Sequence, residues 1–121
     1  MDKIIYCFWT GNNSFSENRK RALNSMSKSN CKIQLITPNN LNNFIKTNHP
    51  LHKSFEYLTL THKSDYLRCY FMHHYGGGYC DIKEITSSWE SSFDDMNDDL
   101  IYINGYQEIG PHGVANVGGK L

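Results

Sequence analysis

The sequence has no run of apolar residues that approaches the roughly 20 needed to cross a bilayer as a helix, so we expect no membrane-spanning segment. It also lacks net charge, because 12 basic residues are balanced by 12 acidic ones. Proteins that bind nucleic acid through a broad surface carry an excess of positive charge, so that function is not expected. The composition, 39% apolar and 20% charged, is that of an ordinary globular domain with one modest core.

Closely spaced cysteine pairs are also missing. The four cysteines are far apart in the sequence and form no Cys-X-X-Cys pair; they are Cys7, Cys31, Cys69 and Cys80. This spacing is typical of buried, reduced thiols in an intracellular protein, and it predicts a cytoplasmic location. Residues 1–9 contain a short apolar run without a small-residue cleavage site, so we interpret them as a first strand and not as a signal peptide.

What the sequence does contain is an alternation of strand and helix signals. Residues 3–8 form an apolar run rich in β-formers, which predicts a buried parallel strand. Ser16 is a suitable N-cap for a helix that ends near Ser29 or Asn30, and the alternation of residues 32–36 predicts a second strand. Strand, helix and strand in this order form a βαβ unit.

A stretch with only short helical signals, residues 39–60, separates this unit from the strongest helix prediction. Residues 61–75 have the pattern of a helix that is capped by Thr61 and stopped by Gly76. The remaining predictions are strands at residues 79–82 and 100–104 and an acidic loop at residues 89–99.

Alternating strands and helices predict an α/β sheet with helices on both faces, in one domain that covers residues 1–121. Ligands of such sheets bind beyond the carboxyl ends of the strands. Trp9 and Asp81 are both expected at that edge. The tryptophan is either part of the core or a flat platform for a nucleotide base, since base stacking contributes about 1–3 kcal/mol. The carboxylate is costly to bury without a partner, which favours a functional role.

The helix before the third predicted strand carries an acid and an arginine three residues apart. Asp65 and Arg68 share one helix face, and an arbitrary surface pair of this kind contributes less than about 1 kcal/mol. Here the helix leads directly into Gly76, Gly77 and Gly78. A helix cap needs one or two glycines, so the third indicates that the backbone closely approaches a packed helix or a ligand. We assign Gly77 and Gly78 to ligand binding.

Two blocks of the sequence resemble the retaining glycosyltransferases with a sugar-binding DXD region. That family includes the yeast initiating mannosyltransferases, bacterial capsular-polysaccharide transferases and the glucosyltransferase domain of large clostridial toxins. The blocks are residues 4–11, IIYCFWTG, and residues 65–81, in which DYLR is followed by GGGYCD. The resemblance implies a Rossmann-like, nucleotide-sugar-binding fold of the GT-A type, and this chain is expected to be its N-terminal, donor-binding part.

The resemblance also implies a reaction and a role for each matching residue. The reaction is transfer of a sugar from a nucleotide-sugar donor, with UDP favoured as the carrier, to a glycan acceptor with retention of configuration. Trp9 would stack on the base, and the backbone near Phe8 would contact the edge of the base. Asp65 and Arg68 would bind hydroxyl groups of the sugar. Asp81 would be the first acid of the DXD motif and contact ribose, sugar or a metal-bound water.

The DXD motif departs from the family pattern at its second acid. Asp81-Ile82-Lys83 places a lysine where the family holds a divalent ion, Mn²⁺ or Mg²⁺, so Asp81 is left as the candidate metal ligand. The lost carboxylate argues against metal dependence. Lys83 projects from the same face as Asp81 and is predicted to bind the donor, as a point charge beside phosphate oxygens. Relatives are also longer after this strand, so donor binding is better supported than turnover.

Other interpretations are open. A zinc site would use suitable ligand types at spacings that match no common zinc module: Cys69, His73, His74 and Cys80. A non-catalytic module would bind a nucleotide sugar without transferring it, as the missing acid and the short C-terminal half suggest. A glycoside hydrolase would need Asp65 and Asp81 about 5 or 6.5–9.5 Å apart. In a plain α/β domain, the acids and glycines would be structural.

Overall fold

The computed structural model describes residues 2–94 and 96 of the chain, and within them three parallel strands form one sheet. Along the chain the strands are β1 (Ile4–Phe8), β2 (Lys32–Ile36) and β3 (Gly78–Tyr79). Their order in the sheet is β2-β1-β3. The helices are α1 (Glu17–Ser25), α2 (Leu60–His74) and α3 (Glu90–Asp94), with 3₁₀ turns at Met26–Ser29, Leu41–Asn43 and Phe55–Tyr57. No helix in the described residues is both long and apolar enough to cross a membrane.

The central strand β1 is buried on both faces of the sheet. Neighbouring residues of a strand point to opposite sides, so its side chains enter two separate cores. Ile5 and Cys7 are completely buried in one hydrophobic core, which α1 and the turn after it cover. Tyr6 and Phe8 lie in a second core, where each ring centre is 5.1 Å from that of Phe71 of α2. The sheet therefore has helices on both faces, and the predicted α/β class is confirmed for the described residues.

The order of the strands determines where a ligand can enter. From β1 the chain passes through α1 to β2 on one side, and then through α2 to β3 on the other side of β1. Where the strand order changes direction in a parallel sheet, a crevice forms beyond the carboxyl ends of the strands. The topology therefore points to the ends of β1 and β3.

The start of α2 differs from the prediction. Thr59, in an extended conformation with φ −63° and ψ 161°, is the N-cap, and its side chain accepts a hydrogen bond from the backbone N–H of His62. Thr61, the predicted cap, is already helical, so that prediction is wrong. The other end agrees with the prediction, because α2 ends at His74 and Gly76 follows with a φ of 68°.

The third strand is shorter than the predicted strand at residues 79–82. Only Gly78 and Tyr79 pair with β1 in the described residues, and one further hydrogen bond joins the N–H of Cys80 to a β1 carbonyl. Asp81 therefore lies two residues beyond the strand, although still at its carboxyl end.

The segment predicted as an acidic loop, residues 89–99, contains α3. Phe93 is buried in the core on the α1 side of the sheet, and the N–H of Trp89 bonds to the carbonyl oxygen of Ser29 at 2.8 Å. One buried aromatic residue thus anchors a helix that the acidic composition did not predict. The loop prediction is wrong for the residues of α3. The strand predicted at residues 100–104 lies outside the described residues.

Three histidines gather where the C-terminal turn of α2 meets the preceding loop. The ring centre of His74 lies 4.8 Å from that of His49 and 4.7 Å from that of His73. Burial, and then the neighbouring His73, His49 and Lys46, lower the pKa of His74 from its ordinary value of 6.5. The protonated ring is therefore less favourable in the folded than in the unfolded chain.

We expect the free energy of unfolding to decrease as the pH falls below about 6.5, because the unfolded chain then binds more protons than the folded one. His74→Gln removes this contribution, so the variant should lose less stability than the wild type between about pH 7.5 and 5.5. Urea unfolding at both pH values measures the difference, with His62→Gln, at the opposite end of α2, as the control. An equal loss in wild type and His74→Gln would contradict the expectation.

Candidate functional site

A cleft of about 530 Å³ opens beyond the carboxyl ends of β1 and β3. Its walls are the loop after β1, the first turn of α1, the N-terminal half of α2 and the residues after β3. The volume is within the range of about 300–1,000 Å³ of small-molecule sites. Phe8 contributes to the wall, and the side chains with polar or aromatic groups for a ligand include Trp9, Arg19, Asp65, Arg68, Tyr79 and Asp81.

Arg68 lies between an acid and an aromatic ring. Its Nη2 is 3.2 Å from Oδ1 of Asp65, and its guanidinium carbon is 5.1 Å from the centre of the Tyr79 ring. The charged side chains of Arg68 and Asp65 are 47% and 53% exposed, so the ion pair contributes less than about 1 kcal/mol to stability. The pair therefore adds little stability, and its structural effect is to hold the guanidinium beside Asp65 in the cleft.

Tyr79 connects this pair to Asp81. Its hydroxyl group donates a hydrogen bond to Oδ1 of Asp81, and its ring stacks on Phe8 with 5.7 Å between centres and 23° between planes. Burial, and then the hydrogen bond to this carboxylate, raise the pKa of Tyr79 above its ordinary value, so the hydroxyl remains a donor at neutral pH. Asp65, Arg68, Tyr79 and Asp81 thus form one connected network in the cleft.

Trp9 stands where β1 ends and is fixed by its own loop. Its Nε1 donates a hydrogen bond to the carbonyl oxygen of Asn13 at 2.9 Å. Its ring makes an edge-on contact with the ring of Phe15, with 4.5 Å between the ring centres. The guanidinium carbon of Arg19 lies 5.8 Å from the ring centre. Trp9 therefore packs against the core and also lines the cleft, so the two interpretations of its role do not exclude each other.

A second cleft, of about 290 Å³, lies beyond the carboxyl end of β2. It shares Trp9 and Thr10 with the first cleft, and its lining combines apolar side chains such as Leu51 with the charged Glu56 and Lys63. Sequence patterns did not reveal this cleft.

The residues of both clefts lie within a region that matches a known family. The sequence model of the family described as capsular polysaccharide synthesis protein matches residues 1–107. The chain belongs to this family. Membership gives it a role in polysaccharide biosynthesis. No curated protein and no solved structure matches the sequence.

In this member of the capsular polysaccharide synthesis family, Gly77 and Gly78 serve the sheet. Gly77 has a φ of 80°, and a Cβ there would lie 2.7 Å from the carbonyl oxygen of Ile4. At Gly78 the added atom would lie 3.3 Å from the ring of Phe93. Gly77 directly precedes β3 and Gly78 is its first residue, and neither lines the cleft as the described residues define it. The closest approach is to β1 at Gly77 and to Phe93 at Gly78, and the ligand-binding role of both glycines stays a prediction.

The predicted donor contact of Lys83 stays a prediction in this member of the capsular polysaccharide synthesis family. Lys83 is exposed and does not belong to the cleft lining as the described residues define it. The reason is the early end of β3, since strand alternation does not continue from Asp81 to Lys83.

The described residues also do not fit a metal ion. Among them, no group of three or more His, Cys, Asp and Glu side chains is arranged to hold one. Oδ1 of Asp81, the candidate ligand, accepts the hydrogen bond of Tyr79. The zinc interpretation fails on the same observation, since Cys80 is buried in a core while Cys69 is exposed on α2. We therefore assign no step of a reaction to a metal.

Sequence reasoning missed two residues of the site, Tyr79 and Arg19. Tyr79 lies two residues before Asp81, and in an extended chain that spacing puts both side chains on one side, which is a usable signal. Arg19 gives no local signal, because its partner, the carbonyl group of Ile82, is 63 residues away in the sequence.

Proposed function

We propose that the protein is a retaining glycosyltransferase that moves a sugar from a nucleotide-sugar donor, with UDP favoured as the carrier, to a glycan acceptor. The capsular polysaccharide synthesis family supports the setting, since polysaccharides grow by glycosyl transfer. The observation that carries the reaction type is the meeting of Asp65, Arg68 and Asp81 in one cleft at the carboxyl ends of parallel strands.

The groups in the cleft suit the parts of a nucleotide sugar. Arg68 offers a planar fork of N–H donors that matches phosphate or sugar oxygens. The carboxylates of Asp65 and Asp81 accept hydrogen bonds from hydroxyl groups of sugar or ribose. Trp9 offers a flat surface for the base at the junction of the two clefts.

In the proposed reaction, the bond between the anomeric carbon and the diphosphate oxygen breaks, and its electron pair stays on the diphosphate. The sugar passes through an oxocarbenium-like state while the acceptor oxygen bonds to the anomeric carbon on the face that the diphosphate leaves. The acceptor proton passes to the departing phosphate oxygen. Arg68 stabilises the developing negative charge, and Asp65 orients the sugar. The rate gain comes from positioning and electrostatics.

Donor binding tests the proposal. Titration calorimetry with UDP-sugars and GDP-sugars should detect binding to the wild type. Asp81→Ala and Arg68→Ala should each weaken that binding by roughly 10- to 100-fold, the usual effect of losing a hydrogen bond to a charged group. Asp94→Ala is the matched control, because it removes a surface carboxylate that pairs with Lys3 at 2.8 Å. Unchanged affinity in both cleft variants would refute the assignment.

A non-catalytic donor-binding module is the second candidate, favoured by the lysine in place of the second DXD acid. Such a module would bind the same nucleotide sugars with the same sensitivity to Asp81→Ala. It would release neither free sugar nor nucleoside diphosphate from the donor. Chromatography of a donor incubated with the wild-type protein separates the two candidates.

A further inference from the structure

The cleft needs a positive charge that the predicted site does not provide. Four charged residues line it within the described part of the chain, namely Arg19, Asp65, Arg68 and Asp81. Without Arg19, two carboxylates would face a single guanidinium, and that guanidinium is already paired with Asp65. A diphosphate would meet a net negative surface. Arg19 balances the charge of the cleft.

Arg19 is held at the cleft wall by backbone and aromatic contacts. Its N–H in the first turn of α1 bonds to the Oγ of Ser16 at 3.2 Å, which fixes the backbone of the residue. Its Nη1 donates to the carbonyl oxygen of Ile82 at 3.0 Å, and its guanidinium lies 5.8 Å from the ring centre of Trp9. The side chain therefore reaches from α1 to the segment that follows Asp81.

Most of the donors of Arg19 are available to a ligand. A guanidinium has five N–H donors, and the hydrogen bond to Ile82 uses one of them. Within residues 2–94 and 96, Arg19 forms no ion pair, in contrast to Arg68. A guanidinium with free donors in a cleft binds phosphate oxygens in a two-pronged manner, with strong charge-assisted hydrogen bonds.

We propose that Arg19 binds the diphosphate of the nucleotide-sugar donor and supplies the positive charge that a divalent metal ion would otherwise bring. This inference rests on the proposed function. It is consistent with the poor fit of the described residues to a metal ion and with the position of Lys83 outside the cleft lining that they form. Donor binding is then independent of divalent metal.

Nucleotide binding by the wild type and three variants tests this inference. The titrants are UDP, GDP and uridine, each in EDTA and again with Mn²⁺. We expect the wild type to bind a nucleoside diphosphate equally well, within about twofold, in both conditions. Arg19→Ala and Arg19→Gln should weaken diphosphate binding by more than about tenfold but change uridine binding by less than about twofold, because uridine lacks the phosphates.

Arg21→Ala is the matched control. Arg21 lies two residues further along α1, is exposed and bonds to Oδ1 of Asn18, and it is not part of the cleft lining in the described chain. Its removal changes the net charge as Arg19→Ala does and should leave diphosphate affinity within about twofold of the wild type.

The outcomes separate this inference from the proposed function. If the wild type binds a nucleoside diphosphate only with Mn²⁺, or if both Arg19 variants bind it as well as the wild type, the role of Arg19 is refuted and the proposed function stands. If the wild type binds neither nucleoside diphosphates nor their sugars in either condition, the proposed function fails, and this inference fails with it. Thermal unfolding of each variant shows that affinity is compared between folded proteins.

Discussion

Gly77→Ala is expected to destabilise the fold by more than about 3 kcal/mol. The residue has a φ of 80°, and a Cβ there would lie 2.7 Å from the carbonyl oxygen of Ile4. A backbone oxygen in a paired strand cannot move aside without separating β1 from β3. The cost therefore combines an unfavourable backbone conformation with the loss of strand pairing that also positions Asp81.

Gly76→Ala is the matched control for this prediction. Gly76 also has a positive φ, of 68°, but apart from its chain neighbours no atom of the described residues would lie within 4 Å of a Cβ there. It should cost only about 1–2 kcal/mol, the penalty for a left-handed conformation. Urea unfolding of the wild type and both variants measures the free energies of unfolding. Equal losses of stability at the two positions would show that the contact with the carbonyl oxygen of Ile4 does not add to the cost at Gly77.

Tyr79→Phe is expected to weaken donor binding by roughly 10-fold or more while changing the melting temperature little. The substitution keeps the ring that stacks on Phe8 and faces Arg68, and it removes the hydroxyl group that donates to Asp81. The carboxylate then loses the bond that holds it in the cleft. Titration of the donor that the wild type binds best measures the loss.

A double-mutant cycle makes this prediction specific. In an Asp81→Ala background, Tyr79→Phe should have little further effect on donor affinity, because the hydroxyl acts through the carboxylate. Tyr66→Phe is the control, since it removes a tyrosine hydroxyl that accepts a hydrogen bond from the N–H of His52 and does not line the cleft in the described chain. Additive losses for Tyr79→Phe and Asp81→Ala would mean that Tyr79 does not act by positioning Asp81.

The elements that depend on local patterns could be predicted from the sequence. The apolar run of residues 3–8 and the alternation of residues 32–36 correspond to β1 and β2, and Ser16 caps α1 as its residue type predicts. The spacing of Asp65 and Arg68 placed both on one helix face, and the structure brings that face to the cleft. Each of these signals depends only on residues that are close together in the sequence.

The features that depend on distant contacts could not be predicted in the same way. The reason for glycine at Gly77 is an oxygen atom in β1, more than 70 residues earlier in the sequence. β3 ends at Tyr79 although β1 continues two residues past Tyr6, the partner of Tyr79, and Lys83 is left outside the cleft lining of the described residues. The position of Arg19 in the site depends on the carbonyl group of Ile82. Each requires the assembled sheet.

The ring of Tyr79 belongs at once to the hydrophobic core, through Phe8, and to the floor of the cleft, through Arg68 and Asp81. Under the proposed function, efforts to change which ligand binds would therefore do best to leave this ring unchanged and to randomise other lining positions such as Asn13 and Ser64. Libraries restricted in that way keep the scaffold intact while they vary the side chains that a ligand in the cleft would contact.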